Sequence, residues 1–131
     1  MAEYPYTILY VDDENVNVEL FKIIFIGFCN VQTAYSAIEG LEILKNNKIE
    51  LIITDEKMPG MSGIEFLKEI KNLLPHVLPY RMLTSAYSVP SGINEAFLHY
   101  NLYKFIPKPW KISELRTLVK ELFEEKIGQP Q

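Results

Sequence analysis

Leu51-Ile52-Ile53-Thr54-Asp55-Glu56-Lys57-Met58-Pro59-Gly60-Met61-Ser62-Gly63 begins as an apolar run and breaks off at acidic residues. Leu51, Ile52 and Ile53 are consecutive and β-prone, the pattern of a parallel strand buried on both faces. Thr54 extends the strand and Asp55 falls at its carboxyl end. Pro59-Gly60 and Gly63 predict a loop, because proline fixes φ and glycine permits φ > 0. Ser62 with Glu65 predicts a capping box that opens a helix with Ile64, Leu67, Ile70 and Leu74 on one face. An aspartate at a strand end, on a rigid loop ahead of a helix, is placed to act as a nucleophile. Taken alone, it is equally well a solvated loop carboxylate.

Outward from this stretch, strand and helix alternate. Thr7–Val11 reads as a buried strand ending at Asp12-Asp13, and Asn15–Ile26 as a helix closed by Gly27, with Val16, Leu20, Ile23, Ile24 and Gly27 at inward spacing. Cys29–Ala34 is a shorter edge strand. Ser36 and Glu39 form a second capping box, for a helix that turns Ile38, Leu41 and Leu44 to the sheet and ends at Asn46-Asn47. Beyond the third helix, Pro79 leads into a strand at Tyr80–Thr84. Ser88 is expected to cap a fourth helix, with Pro90 in its first turn and Ile93, Ala96, Phe97 and Tyr100 as its stripe. Tyr103–Pro107 is the fifth strand. Ser113 to about Lys126 is the last helix, carrying Leu115, Leu118, Val119 and Leu122. Five strands alternating with five helices predict an α/β fold: a single doubly wound parallel sheet of flavodoxin-like order 2-1-3-4-5, with helices on two faces.

With 131 residues the chain is expected to form one domain over residues 1–127, followed by a polar tail at 128–131. Its 48% apolar and 23% charged content fits a globular protein, and the net charge of −4 argues against a general nucleic-acid surface. The single cysteine, Cys29, cannot form an internal disulfide and fits a reducing cytoplasm, with packing as its role. The apolar stretch Ile23–Cys29 is far shorter than the ~20 residues a bilayer span needs. Met1–Pro5 has neither the basic segment nor the hydrophobic core of a signal peptide. A cytoplasmic protein without a membrane partner is therefore expected.

In the order 2-1-3-4-5 the chain direction reverses between strands 1 and 3, and ligands bind beyond the carboxyl ends of the strands there. Asp12 and Asp13 end strand 1, and Asp55 ends strand 3. Three neighbouring carboxylates repel one another unless a cation binds or a pKa rises. Oxygen donors without histidine or thiolate suit a hard divalent ion such as magnesium. His76 and His99 lie far apart and away from the acidic motif, so neither is expected to ligate metal. Thr84 ends strand 4 and offers a hydroxyl where an oxyanion would sit, although turn hydroxyls commonly bond local backbone. Lys108 ends strand 5, where it can pair with the carboxylates, and the Lys108-Pro109 bond is a candidate for the cis form.

These residues resemble the receiver domains of two-component response regulators. The resemblance runs from Ile8-Leu9-Tyr10-Val11-Asp12-Asp13-Glu14 through Asp55-Glu56-Lys57-Met58-Pro59-Gly60 to Lys108-Pro109-Trp110. It implies that Asp55 accepts a phosphoryl group, that Asp13 ligates magnesium (or manganese) directly, and that Asp12 acts largely through water. It also implies that Asp55 and the backbone carbonyl of Lys57 complete the metal's protein ligands. Thr84 and Lys108 match the switch hydroxyl and the lysine that binds phosphoryl oxygens. Phe105 matches the aromatic whose rotamer follows Thr84. Lys57 and Ala86 fall at the positions that govern access of hydrolytic water, and their identities predict a long-lived phosphoryl group. The implied partners are a histidine kinase or histidine phosphotransfer protein and, through the fourth helix, fifth strand and fifth helix, an output domain or protein partner. A phosphorylation-dependent homodimer is one form of that output; direct nucleic-acid binding is not expected. Tyr103, Phe105 and Trp110 flank the end of the fifth strand, where only one or two of them can be buried at once, so an exposed aromatic is expected there.

Such a chain is a switch that modifies itself, not an enzyme acting on a free substrate. A haloacid-dehalogenase-type phosphatase would need an aspartate where Lys57 stands. A flavin carrier would need a phosphate-cradling loop where Asp12-Asp13-Glu14 would repel it. The chain is compatible with a free-standing regulator. The alternative is a receiver cut from a longer protein, such as an HD-GYP-type phosphodiesterase, a hybrid kinase or a transcription regulator.

Overall fold

In the computed structural model, which describes residues 5–127, the β-prone runs form strands Thr7–Val11 (β1), Asn30–Ala34 (β2), Leu51–Asp55 (β3), Tyr80–Ser85 (β4) and Leu102–Pro107 (β5). They pair in parallel in the order β2-β1-β3-β4-β5. The intervening helices are Asn15–Phe25 (α1), Ala37–Asn46 (α2), Gly63–Leu73 (α3), Ile93–His99 (α4) and Ile112–Glu121 (α5), the last continued by a π-helical segment at Leu122–Ile127. The polar tail predicted at 128–131 lies outside the described residues. Among the described residues no helix is long and apolar enough to cross a membrane.

Side chains alternate along a strand, so each central strand feeds two cores. Leu9, Val11, Ile52 and Leu83 pack with Leu41, Phe66, Ile70 and Ala96 beneath α2, α3 and α4. Ile8, Tyr10, Ile53 and Met82 pack with Phe21, Phe25, Leu115 and Val119 beneath α1 and α5. Every residue of β3 is buried, as its uninterrupted apolar run predicts. Register pairs Val11 with Thr54 and Asp55 with Thr84, so the acidic and hydroxyl residues emerge together at one edge of the sheet.

The helix faces required corrections. In α1 the buried residues are Val18, Phe21, Ile24 and Phe25, whereas Val16 and Ile23 are 77% and 68% exposed. Of the inward set expected there, only Ile24 is buried. The helix is apolar nearly all round, so spacing admits two faces; the face with two phenylalanines removes more area from water. Phe21 stacks on Tyr10 at 4.2 Å. In α2, Ile38 points to solvent and Ala37 and Gly40 take the sheet side. A Cβ on Gly40 would stand 2.9 Å from the Phe66 ring, so only the smallest residue lets α2 approach α3. Ser88 caps nothing: α4 begins at Ile93 with Gly92 as its N-cap, after a turn in which the Ile93 N–H donates to the Pro90 carbonyl. That short helix buries Ala96 fully and leaves Phe97 exposed.

Candidate functional site

The Asp55 loop is held from both ends by backbone and carboxylate. The Glu56 N–H donates to the Thr84 carbonyl at 3.0 Å, which prolongs the β3–β4 pairing by one residue. The Gly63 N–H returns to the Glu56 carbonyl at 3.0 Å, and the Ile64 N–H donates to the Glu56 carboxylate at 2.9 Å. The predicted Ser62–Glu65 capping box then starts α3. Within the loop, Gly60 has φ +80°, the left-handed conformation expected of it. Gly63 is needed for another reason. Its φ is not positive, but a Cβ there would overlap the Asp55 carbonyl oxygen and stand 2.7 Å from Leu83 Cδ1.

Three predicted carboxylates come together. Asp12 is fully buried and Asp55 is 7% exposed, while Asp13 faces solvent. Each offers one oxygen, and these oxygens lie within 4.8 Å of one another. Lys108 reaches across from the end of β5, its Nζ 3.0 Å from Asp12 Oδ2 and 2.9 Å from Asp55 Oδ1. The Lys108-Pro109 peptide is cis. Burial raises the Asp55 pKa; Lys108 pulls it down, but Asp12 and Asp13 add to the rise and it stays above the ordinary carboxylate range. Burial alone would lower Lys108, yet its bonds to Asp55 and Asp12 leave it raised. Burial thus dominates at Asp55, and bonding to two carboxylates dominates at Lys108.

The other predicted residues take separate positions. Thr84 is fully buried beside Asp55. Phe105 is half-buried against the core under α4. Ala86 is exposed, and Lys57 is also exposed, with its ammonium 5.5 Å from the centroid of the Tyr87 ring. Of the three aromatics that flank the end of β5, Tyr103 is exposed and Trp110 turns inward. It is half-buried on the α1/α5 side, edge-on to Tyr10 and Phe21, and its indole Nε1–H donates to Thr84 Oγ1 at 3.0 Å. His76 and His99 are exposed and outside the site, and Cys29 is buried with its thiol pushed up to about 12 by that burial.

Two contributors to the site and one buried anchor away from it were missed from sequence. The Tyr10 hydroxyl donates to Asp12 Oδ2 at 2.6 Å; two-residue spacing along β1, which puts both on one face, is the signal that could have found it. Burial, then the Asp12 bond and charge, push the Tyr10 phenol far up, so it remains a donor. The Glu56 carboxylate is the second, anchoring the loop. The third is Arg81, fully buried in β4, which donates to the Val77 and Tyr100 carbonyls at 3.0 and 3.2 Å; no local pattern announces it.

Against known proteins, the model of the response regulator receiver domain matches residues 8–120. The chain is 34% identical over 121 residues to chemotaxis protein CheY-3 of Vibrio cholerae, covering 89% of this chain and 91% of that one. It is 31% identical over 128 residues to the hydrogenase transcriptional regulatory protein HoxA of Cupriavidus necator, covering 95% of this chain but 25% of that protein. The chain thus spans about a quarter of the length of the HoxA relatives it matches. Among solved structures, a CheY-like response regulator receiver domain protein from Methanospirillum hungatei superposes with a TM-score of 0.83 at 26% identity, covering 95% of this chain and 98% of that one. The signal receiver domain of an HD domain-containing protein from Pseudomonas fluorescens shares the fold, with a TM-score of 0.85 at 22% identity, covering 96% and 100% of the two chains.

Proposed function

Because this chain belongs to the response regulator receiver domain family, we propose that Asp55 is its phospho-accepting residue and that Thr84, Lys108 and Phe105 turn the modification into a change of surface. The observation that carries this reading is the Lys108 ammonium bridging Asp12 and Asp55 where β1, β3 and β5 end. A positive charge beside a buried carboxylate is what an incoming phosphoryl group requires.

A histidine kinase or histidine phosphotransfer protein supplies a phosphohistidine. An Asp55 oxygen attacks phosphorus in line, the N–P bond breaks as the O–P bond forms, and the imidazole leaves with its electron pair. Lys108 neutralises the charge on the phosphoryl oxygens. The donor set is all oxygen and closely grouped, which fits magnesium, or manganese in its place. Asp13, Asp55 and the Lys57 carbonyl would hold the ion, with Asp12 acting through water. When bound, the ion supplies further positive charge against the phosphoryl oxygens. Thr84, next to Asp55 across the strands, donates its hydroxyl to the phosphoryl group, and Phe105 follows on the α4 side. Hydrolysis returns the carboxylate; Ala86 offers no side-chain hydrogen bond to an attacking water and Lys57 lies over Tyr87 beside its approach, which favours a long-lived phosphoryl group.

The output runs through α4, β5 and α5 to a protein partner, an output domain or a second copy. The HoxA likeness favours, as a second reading, a receiver that works within a longer regulatory chain. Cytoplasmic placement accords with both. Acetyl phosphate and magnesium should add one phosphoryl group, labile to hydroxylamine and absent in Asp55→Asn. Undiminished labelling of that variant at another residue would overturn the assignment.

A further inference from the structure

Thr84 is expected to carry the switch, yet its hydroxyl already has a partner. Trp110 Nε1 lies 3.0 Å from Thr84 Oγ1, and the bond is partly sheltered from water. The indole packs on a buried aromatic pair: Tyr10 meets it edge-on at 5.6 Å and Phe21 at 5.9 Å, with interplanar angles of 77° and 74°. Tyr10 is itself tied to Asp12 through its hydroxyl and stacked on Phe21. Stacked on each other, Tyr10 and Phe21 back the indole from one buried side, and an indole that followed a rotating threonine would give up that contact.

We propose that Trp110 is a positioning residue for the switch. Its indole N–H latches the Thr84 hydroxyl in the unphosphorylated state and must let go when Thr84 turns to the phosphoryl group on Asp55. This rests on the phospho-acceptor reading of Asp55 and adds an opposing contact to it. An indole has a donor and no acceptor, so it holds Thr84 through the hydroxyl oxygen and cannot bond the phosphoryl oxygens in any other role than donor. The bond is made only in the resting arrangement, so its loss shifts the equilibrium toward the arrangement that accepts phosphate.

The test uses the 131-residue chain. In the unphosphorylated wild type the indole N–H proton should exchange slowly and move on Thr84→Val, but stay in place in Thr84→Ser, which retains a hydroxyl. Phosphorylation with acetyl phosphate and magnesium should carry the wild-type resonance to the Thr84→Val position. Trp110→Phe keeps a ring and removes the donor; it should be phosphorylated about fivefold faster at limiting acetyl phosphate, the effect of one typical hydrogen bond. An indole resonance unmoved by phosphorylation of Asp55, or a folded Trp110→Phe that labels at the wild-type rate or slower, overturns the latch and leaves the Asp55 reading intact. If Trp110→Phe does not fold, the indole resonance decides alone. Failure of Asp55 to label at all removes both proposals.

Discussion

Asp55 ionises against its surroundings, and that shapes what single substitutions do. Burial raises its pKa, so folding favours the protonated acid. The cost of its charge is absent below the ordinary carboxylate range and grows as pH rises through the raised value. Asp55→Asn removes the charge and leaves Lys108 its bond to Asp12. At neutral pH with divalent metal chelated, this variant should therefore melt higher than wild type, where ~1 kcal/mol corresponds to about 4 °C for a domain of this size. The gap should close on acidification; thermal melts across the acid range check both parts. Labelling by acetyl phosphate should fall over the same range, because only the carboxylate is nucleophilic. Tyr10→Phe tests the opposite kind of contact. It keeps the stack on Phe21 but deletes the 2.6 Å bond to a charged, fully buried oxygen. A loss of about 1.5–3 kcal/mol in denaturant unfolding is expected. Unchanged stability would mean that water replaces the phenol.

At the scale of elements, the strands were the legible part. Each apolar run stops at Asp12, Asp55, Thr84 or Lys108, and parallel pairing then delivers those residues to one edge regardless of packing detail. Helix orientation was legible only where one stripe is unambiguous, as in α3, where Leu67, Ile70 and the C-cap Leu74 are buried as spaced and Ile64 is half-buried against the same core. In α1 the periodic signal is degenerate, and the choice is made by Tyr10 in a neighbouring strand, which no window on the helix contains. The same holds for the Trp110–Thr84 bond, which joins residues 26 positions apart through a loop. The α1 correction is testable. Phe21→Ala should cost about 3–5 kcal/mol, as burial of a core aromatic implies. Ile23→Ala, on the exposed side, should stay within about 0.5 kcal/mol. Denaturant unfolding of the two separates the faces, and equal costs would restore the face expected from spacing. Gly63 offers a second element-level test, because α3 begins against the backbone of the strand end. Gly63→Ala must relieve contacts with both the Asp55 carbonyl and Leu83. Overpacking of this kind costs about 1–3 kcal/mol. Phosphorylation should slow in the same variant, since the displaced backbone carries Asp55.

For the whole molecule, the question is how a charge event at one edge reaches a partner. The two cores divide the work. Trp110 and Thr84 meet on the α1/α5 side, whereas Phe105 packs with Leu83 and Ala96 on the α4 side. Arg81 ties the end of α4 to the segment before β4 through the Tyr100 and Val77 carbonyls, so α4 is anchored at its C-terminal end and uncapped by any side chain at its start. A change at Thr84 and Phe105 would therefore move the start of α4 more than its end. The α4–β5 face carries Leu98 at 77%, Phe97 at 44% and Tyr103 at 41% exposure, which suits a protein contact. The net charge of −4 makes a phosphate-backbone contact unfavourable. Phosphorylation should shift self-association or binding of an output domain, followed by light scattering or sedimentation. Leu98→Glu should suppress that shift while Asp55 labels normally, since the residue is exposed and outside the site. Phe105→Ala should label as well but respond less if the proposed route from Thr84 to α4 runs through that ring. The face is excluded if both variants respond like wild type, or if the isolated chain binds DNA with a steep salt dependence while its association state never changes.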